Sequence, residues 1–156
     1  MEKIKHRLLL ADDDMDDIAF FREALEELPF ASKLTTVNDG VELMQFLTGE
    51  LIELPDMLFL DLNMPRKTGY ECLREIKSND KLKHLPVIII STSFEHDIAR
   101  SLYKNGADFY LCKPGDFSML KQLIHKAINL ATSLSTEPRS EQNFLVNGNQ
   151  SYSFLY

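Results

Sequence analysis

Short apolar runs alternate with longer stretches of mixed polarity along most of this chain. The run at residues 87–90 reads Val-Ile-Ile-Ile and has no polar position. Such a run is typical of a parallel strand that is covered on both faces. We predict five strands of this kind: Arg7–Ala11, Lys33–Val37, Met57–Leu60, Val87–Ile90 and Asp108–Cys112.

The stretches between these runs carry apolar residues at the spacing of an amphipathic helix. In the first stretch these residues are Ile18, Phe21, Leu25 and Leu28, followed by Pro29. Strands that alternate with helices indicate βαβ units and a parallel sheet. The pattern therefore predicts an α/β fold, a doubly wound (βα)5 domain with a five-stranded parallel sheet of the flavodoxin-like type.

The composition changes after about Ala131. Residues 132–150 are rich in Ser, Thr, Asn, Glu and Gln, and an aromatic cluster of Tyr152, Phe154 and Tyr156 follows. Polar composition of this kind buries too little apolar surface to fold by itself. We expect one domain over residues 1–131 and a polar tail over residues 132–156, solvated at 133–142, with an aromatic end that either docks or stays free.

Composition and charge exclude several classes of protein. The chain has 156 residues, of which 44% are hydrophobic, and this is enough for one domain with a core. Its net charge of −7 and the lack of a Lys/Arg-rich block argue against binding to nucleic acid. No stretch reads as a signal peptide or a membrane span, so we expect a cytoplasmic protein.

The cysteines and histidines do not suggest a metal or redox site. Cys72 and Cys112 lack a CxxC spacing, and we expect both to be small, reduced core residues. The four histidines have no metal-ligand spacing, and we expect them at the surface: His6, His84, His96 and His125.

Acidic residues follow the first and third predicted strands. Asp12 and Asp13 come directly after the first, and Asp61 ends the third. The carboxyl ends of parallel strands meet at one edge of the sheet, and Mg²⁺ prefers oxygen ligands. We predict a Mg²⁺ site with Asp13 and Asp61 as direct ligands, Asp12 bound through water, and the backbone carbonyl of Asn63. Asp14, Asp16 and Asp17 are expected only to start the helix that follows.

Asp61 is also the candidate nucleophile of this edge. A carboxylate can attack a phosphoryl group and form an acyl phosphate, provided that the charge on the transferred oxygens is neutralised. Lys113 follows the fifth predicted strand and supplies a second positive centre beside the metal. Pro114 is a candidate for a cis peptide bond that aims this lysine.

Two further side chains lie at or near the same edge. Ser91 ends the fourth predicted strand, and its hydroxyl could bond a phosphoryl oxygen, although Thr92 and Ser93 compete for that role. Tyr110 lies within the fifth predicted strand, and its spacing alone is that of a core aromatic residue.

Five segments together resemble the receiver domain of two-component response regulators: LLLADDD, LFLDLNMP, TGYECLREIK, LPVIIISTS and NGADFYLCKP. The resemblance runs from about Lys5 to Ala131. It implies that Asp61 accepts a phosphoryl group from a histidine kinase or a histidine-phosphotransfer protein. It also implies a catalytic lysine and cis-proline pair at Lys113 and Pro114, and switch residues at Ser91 and Tyr110.

The acidic DDDMDD run, the DLNMPRKTGYECLREIK segment and the polar tail are most similar to the small stand-alone regulators of bacterial phytochrome kinases. The kinase would then sense red and far-red light. The resemblance implies that Ser91 moves toward the phosphoryl group and that Tyr110 turns into the vacated space. The output surface would be the fourth helix, fifth strand and fifth helix.

That output surface is also a candidate for a homodimer. A second apolar set on the last helix supports it: Met119, Leu123, Leu130 and Leu134.

Asn63 and Ser93 flank the water path to the acyl phosphate and offer no general base, so we predict slow to moderate self-dephosphorylation. The protein would be a signalling protein and not an enzyme beyond its own phosphorylation and dephosphorylation.

Three other classes compete with this interpretation. A haloacid-dehalogenase-type phosphatase needs a second Asp two residues after the nucleophile, where this chain has Asn63. A flavodoxin-type cofactor binder needs a phosphate loop after the first strand, where Asp12, Asp13 and Asp14 would repel phosphate. A phosphate-independent interaction domain of the same fold remains open, although it has no use for the acids and the lysine together.

Overall fold

A computed structural model describes residues 3–50 and 53–147 of the chain. In this part of the chain the strands are β1 (Ile4–Ala11), β2 (Ala31–Val37), β3 (Met57–Asp61), β4 (Val87–Ser91), β5 (Phe109–Cys112) and β6 (Leu145–Val146). The helices are α1 (Met15–Glu26), α2 (Gly40–Thr48), α3 (Gly69–Ser78), α4 (His96–Lys104) and α5 (Phe117–Thr132). The five predicted strands and the alternation of strands and helices are confirmed.

The strands form one parallel sheet in the order β2-β1-β3-β4-β5-β6. The connections run outward in opposite directions from β1 and β3, so these two strands flank the switch point at which ligand sites form. Ala11 of β1 is in register with Leu60 of β3. The residues that follow them, Asp12 and Asp61, therefore leave the sheet side by side.

Alternate residues of each central strand enter two separate apolar layers. Leu58 and Leu60 of β3 pack toward α2, α3 and α4, whereas Phe59 packs toward α1 and α5. All five residues of β3 are buried, and so are all five of β4. Burial on both faces explains why these strands read as continuous apolar runs and are easy to recognise in the sequence.

The strand β6 differs from the prediction of a five-stranded sheet. It pairs with β5 through Tyr110↔Leu145 and Leu111↔Val146, inside the stretch that the composition assigns to a polar tail. The preceding residue, Phe144, is fully buried. An apolar triplet inside a polar stretch gives too weak a pattern to predict a strand, because its burial depends on the edge of β5. The aromatic residues Tyr152, Phe154 and Tyr156 lie outside the described residues.

The second apolar set of α5 packs mainly on the chain itself. Leu123 is buried, and Leu130 and Leu134 are half-buried against the layer formed by α1 and α5. Met119 is 38% exposed and is the member of the set that faces solvent. Three of the four residues are thus partly or fully covered by the chain itself, and the dimer face that the set suggests stays a prediction.

The expectation that all four histidines lie at the surface is wrong for His6. Its side chain is 7% exposed, and its ring meets the ring of Phe30 edge to face at 5.0 Å. β1 begins at Ile4, earlier than its apolar run, so His6 belongs to the strand and contacts Phe30 in the connection that precedes β2. Cys72 is buried, Cys112 is half-buried, and both thiols are free, as predicted. None of the described helices combines the length and hydropathy needed to cross a bilayer.

Candidate functional site

Three carboxylates meet where β1 and β3 end. One oxygen each of Asp12, Asp13 and Asp61 can be chosen so that all three lie within 4.8 Å of one another. Asp12 and Asp61 are 1% and 8% exposed, whereas Asp13 is exposed. The structure therefore brings together the three acids that the strand ends predict, with two of them largely removed from water.

Burial and mutual repulsion raise the pKa of Asp61 to about 6. Burial is the largest cause, and the charge of Asp12 adds to it, whereas Lys113 and a backbone hydrogen bond from Asn63 act in the opposite direction. A divalent cation would relieve this repulsion, and a set of carboxylate oxygens is what Mg²⁺ prefers. The residues present therefore fit a hard divalent cation.

Lys113 crosses from the end of β5 to the acidic cluster. Its ammonium group lies 3.0 Å from the carboxylate of Asp12 and 2.8 Å from that of Asp17. Burial by itself would lower the pKa of Lys113, but the hydrogen bonds to Asp17 and Asp12 outweigh it and raise the pKa. The lysine is therefore a cation at neutral pH, positioned above the strand ends.

The contact of Asp17 with this lysine was not predicted from the sequence. Asp14 caps α1 as expected, because its side chain accepts the backbone N–H groups of Asp16 and Asp17. Asp17 has a second role as an ion-pair partner of Lys113. The signal was its position four residues before the buried Phe21, which places both on the inward face of the helix.

The prediction of a cis bond at Pro114 is wrong. No cis peptide bond occurs in residues 3–50 and 53–147, so the bond from Lys113 to Pro114 is trans. The trans form is the intrinsically favoured one, even for an X–Pro bond. The ion pairs with Asp12 and Asp17 orient the lysine instead, together with the hydrogen bond from its backbone N–H to the Ser91 carbonyl (2.7 Å).

Ser91 is the buried hydroxyl at this edge of the sheet. It ends β4 and is 6% exposed, whereas Thr92 and Ser93 are exposed. Its Oγ accepts the backbone N–H of Ser93 at 3.3 Å. Asp61 of β3 is in register with Ile90 of β4, and Ser91 is the next residue along β4. Strand register therefore favours Ser91 among the three candidate hydroxyl residues.

Tyr110 is a core residue in position, as its spacing predicts. The side chain is 1% exposed, its ring meets that of Phe94 at 5.2 Å, and its hydroxyl donates to the carbonyl oxygen of Ser93. Burial raises the pKa of the phenol, and a hydrogen bond with Ser91 opposes that rise. Tyr110 is thus connected to the loop that follows Ser91.

A cavity of about 200 Å³ opens beside the lysine. It is lined on one side by Asp12, Asp17 and Lys113, and on the other by apolar residues that include Phe20 and Phe117. The site combines three clustered carboxylates, the Lys113 cation and the Ser91 hydroxyl, and the cavity adjoins it at Asp12 and Lys113 rather than at Asp61. This combination suits the transfer of an anionic group to Asp61.

Comparisons with known proteins agree with this geometry. The family model of the response regulator receiver domain matches residues 8–125. The chain is 32% identical over 121 residues to the response regulator Rcp1 of Synechocystis, covering 75% of this chain and 82% of that protein. It is 32% identical over 122 residues to a probable methanogenesis regulatory protein, FilR2, of Methanothrix harundinacea, covering 76% and 79% of the two chains.

Solved structures give the same result. The crystal structure of the phosphorylated cyanobacterial phytochrome response regulator RcpA superposes with a TM-score of 0.76 at 35% identity, covering 85% of this chain and 98% of that one. The bacteriophytochrome response regulator AtBRR superposes with a TM-score of 0.69 at 30% identity, covering 83% and 94%.

Proposed function

Because this chain belongs to the response regulator receiver family and its relatives are phosphoacceptor signalling proteins, we propose that Asp61 is its phosphoacceptor. The observation that carries the proposal is the meeting of Asp61 with Asp12, Asp13 and Lys113 at one edge of the sheet. The phosphatase alternative lacks its acid at Asn63, and no relative supports it.

The donor in this proposal is the phosphohistidine of a histidine kinase or of a histidine-phosphotransfer protein. A carboxylate oxygen of Asp61 attacks the phosphorus atom, and a new O–P bond forms as the P–N bond to the donor imidazole breaks. The electron pair of that bond goes to the imidazole nitrogen, which then takes up a proton. The product is an acyl phosphate on Asp61 and a free histidine on the donor.

The residues around Asp61 have distinct roles. Lys113 exchanges its contact with Asp12 and Asp17 for a phosphoryl oxygen, and the Ser91 hydroxyl donates to another. We propose Mg²⁺ as the cation of the acidic cluster, held by Asp12, Asp13, Asp61 and the backbone carbonyl of Asn63. When bound, Mg²⁺ supplies positive charge opposite the transferred phosphoryl oxygens.

Intact-protein mass after incubation with acetyl phosphate tests the proposal. We expect a Mg²⁺-dependent gain of one phosphoryl group in the wild type and in the control Asp80→Asn, but not in Asp61→Asn. Asp80 is a suitable control because it lies in the turn after the C-terminal end of α3 and its side chain is 95% exposed. If no gain occurs, the binding of beryllofluoride decides the question. Failure of both contradicts the phosphoacceptor role and favours a phosphate-independent interaction domain.

For the partner, we propose a light-sensing phytochrome kinase. The support is the similarity of this chain to RcpA and AtBRR, which are described as phytochrome response regulators. The test is transfer of labelled phosphate from a phosphorylated phytochrome kinase to the wild type and to Asp61→Asn. A non-phytochrome kinase serves as the control, and equal transfer rates from both kinases would contradict the assignment.

For the output, we propose the surface formed by α4, β5 and α5, with a second copy of the chain as one possible occupant. Met119 of α5 offers an exposed apolar side chain there. A second copy would also meet residues 139–147, which contact α4 through Arg139 and pair with β5 through Leu145 and Val146. Light scattering with and without beryllofluoride, for the wild type and Met119→Lys, tests whether a dimer forms through this surface.

A further inference from the structure

Residues 139–147, here called the C-terminal segment, are fastened to α4, β5 and α5. At one end Arg139 donates to the carbonyl oxygens of Tyr103 (2.7 Å) and Ala107 (3.0 Å), and its guanidinium lies 4.1 Å from the Tyr103 ring centre. At the other end the ammonium group of Lys126 donates to the carbonyl oxygen of Asn147 at 2.6 Å. Between these contacts β6 extends the sheet beyond β5.

Phe144 is the buried centre of this segment. Its side chain has no exposed surface, and its ring lies 5.5 Å from that of Tyr103 and 6.1 Å from that of Tyr110. Its carbonyl oxygen also accepts the backbone N–H of Tyr110 at 2.8 Å. Phe144 is therefore joined to Tyr110 through both the ring and the backbone.

These contacts act on Tyr110, which the resemblance to receiver domains implies is a switch residue. The Tyr110 ring contacts Phe94 in the loop after β4 as well as Phe144, and its hydroxyl is bonded to Ser93. Because the ring is 1% exposed, it cannot turn outward without disturbing one of these aromatic partners. The inward position, which the proposed signalling route requires after phosphorylation, is already adopted.

We propose that Phe144 is a positioning residue that holds Tyr110 inward, so that docking of the C-terminal segment and phosphorylation of Asp61 favour each other. The inference rests on the proposed phosphoacceptor role of Asp61. If both events select the same Tyr110 conformer, each must strengthen the other by the same factor. Removal of Phe144 therefore weakens the binding of a phosphoryl mimic at a site on a different part of the fold.

Beryllofluoride affinity in the presence of Mg²⁺ tests this coupling. We expect Phe144→Ala to weaken binding by about fivefold or more, which is the lower end of typical coupling between sites. Phe144→Leu keeps a larger apolar side chain than Phe144→Ala, so it should retain most of the wild-type affinity. Phe30→Ala is the matched aromatic control, because Phe30 packs on His6 and His125 rather than on Tyr110.

A double-mutant cycle separates positioning from general destabilisation. If Phe144 acts through Tyr110, then Phe144→Ala has no further effect on beryllofluoride affinity in a Tyr110→Ala background. An equal loss in both backgrounds overturns the inference, and so does an unchanged or tighter affinity of Phe144→Ala in the wild-type background.

Hydrogen exchange of the wild type provides a test that no folding defect can obscure. Beryllofluoride with Mg²⁺ should slow exchange of the Tyr110 amide, which reports on its bond to Phe144, and of the β6 amides. The amides of Asn63 and Lys113 report on binding at the site itself. If exchange slows at Asn63 and Lys113 but not at Tyr110 and β6, the inference about Phe144 is wrong and the proposed function stands. If exchange does not slow at Asn63 and Lys113, the proposed function itself is contradicted.

Discussion

The ammonium group of Lys113 lies nearer to the carboxylate of Asp17, at 2.8 Å, than to that of Asp12, at 3.0 Å. Asp17 belongs to α1 and lies outside the group of three acids that could hold a cation. In the proposed reaction Lys113 must transfer its contact to a phosphoryl oxygen. Asp17 therefore competes with the phosphoryl group for the same cation.

Loss of this competitor should favour the phosphoryl-bound state. We expect Asp17→Asn to tighten beryllofluoride binding by about 1.4- to fivefold, because a partly exposed ion pair contributes about 0.2–1 kcal/mol and the Asp17 side chain is 35% exposed. Asp16→Asn is the matched control, since Asp16 is also in the first turn of α1 but is exposed. Weaker binding by Asp17→Asn would mean that Asp17 aims the lysine productively, contrary to this prediction.

Gly69 lies in close contact with the backbone of Asp61 and Leu62. A Cβ atom at Gly69 would lie 2.4 Å from the Asp61 carbonyl oxygen and 2.8 Å from the Leu62 Cα atom. We expect Gly69→Ala to lower the free energy of unfolding by about 1–3 kcal/mol, as overpacking does, and to slow phosphorylation by displacing Asp61. Urea denaturation measures the first effect and intact-protein mass over time the second.

Gly115→Ala is the natural control for that substitution. A Cβ atom at Gly115 meets nothing within 4 Å, so its free energy of unfolding should stay within about 0.5 kcal/mol of the wild type. If both alanine variants are equally stable, the close approach of α3 to the end of β3 does not constrain Asp61.

The charge on Asp61 should destabilise the protein when no divalent cation is present. Its pKa is about 6 in the folded state against an ordinary value of 3.8, so the folded state binds the extra proton between these values. Stability from this group is therefore present at low pH and is lost as the pH rises through about 6. In a chelator at pH 7.5 we expect Asp61→Asn to raise the free energy of unfolding by up to about 3 kcal/mol.

Two further conditions check the sign of that effect. The advantage of Asp61→Asn should shrink as the pH falls below about 6, where the wild-type carboxyl becomes protonated. Added Mg²⁺ should stabilise the wild type more than the variant, because a ligand stabilises the state that binds it. A variant that is less stable than the wild type in chelator would contradict the prediction.

His6 should make the fold sensitive to acid. Burial lowers the pKa of His6, and the nearby charge of Lys5 adds to this, against an opposing influence of Asp56. The unfolded chain then binds a proton at His6 more readily than the folded chain does. The contribution of His6 to the free energy of unfolding should therefore be highest above pH 6.5 and should decrease as the pH falls below 6.5. His6→Gln should remove this part of the pH dependence of unfolding, whereas His84→Gln, an exposed control, should retain it.

The sequence was sufficient where an element depends on its own residues. β3 and β4 are buried on both faces and therefore read as apolar runs. The meeting of the acids at the ends of β1 and β3 follows from strand topology. The sequence was insufficient where contacts between residues far apart in the chain determine the structure. The pairing of Lys113 with Asp17 spans α1 and β5, and β6 exists because the edge of β5 receives it. The isomer of the bond before Pro114 likewise depends on its surroundings in the fold, and the residue pair Lys113-Pro114 alone does not specify it.

The short strand β6 also determines how a truncated form of this protein would behave. A stop codon after position 131, at the domain boundary suggested by composition, would delete the neighbour of β5 and uncover the ring of Tyr110. An unpaired strand edge beside exposed aromatic side chains is a template for strand addition between chains. Loss of residues 132–147 would thus expose a strand edge that recruits other copies and precipitates, even though every residue of the phosphorylation site is intact.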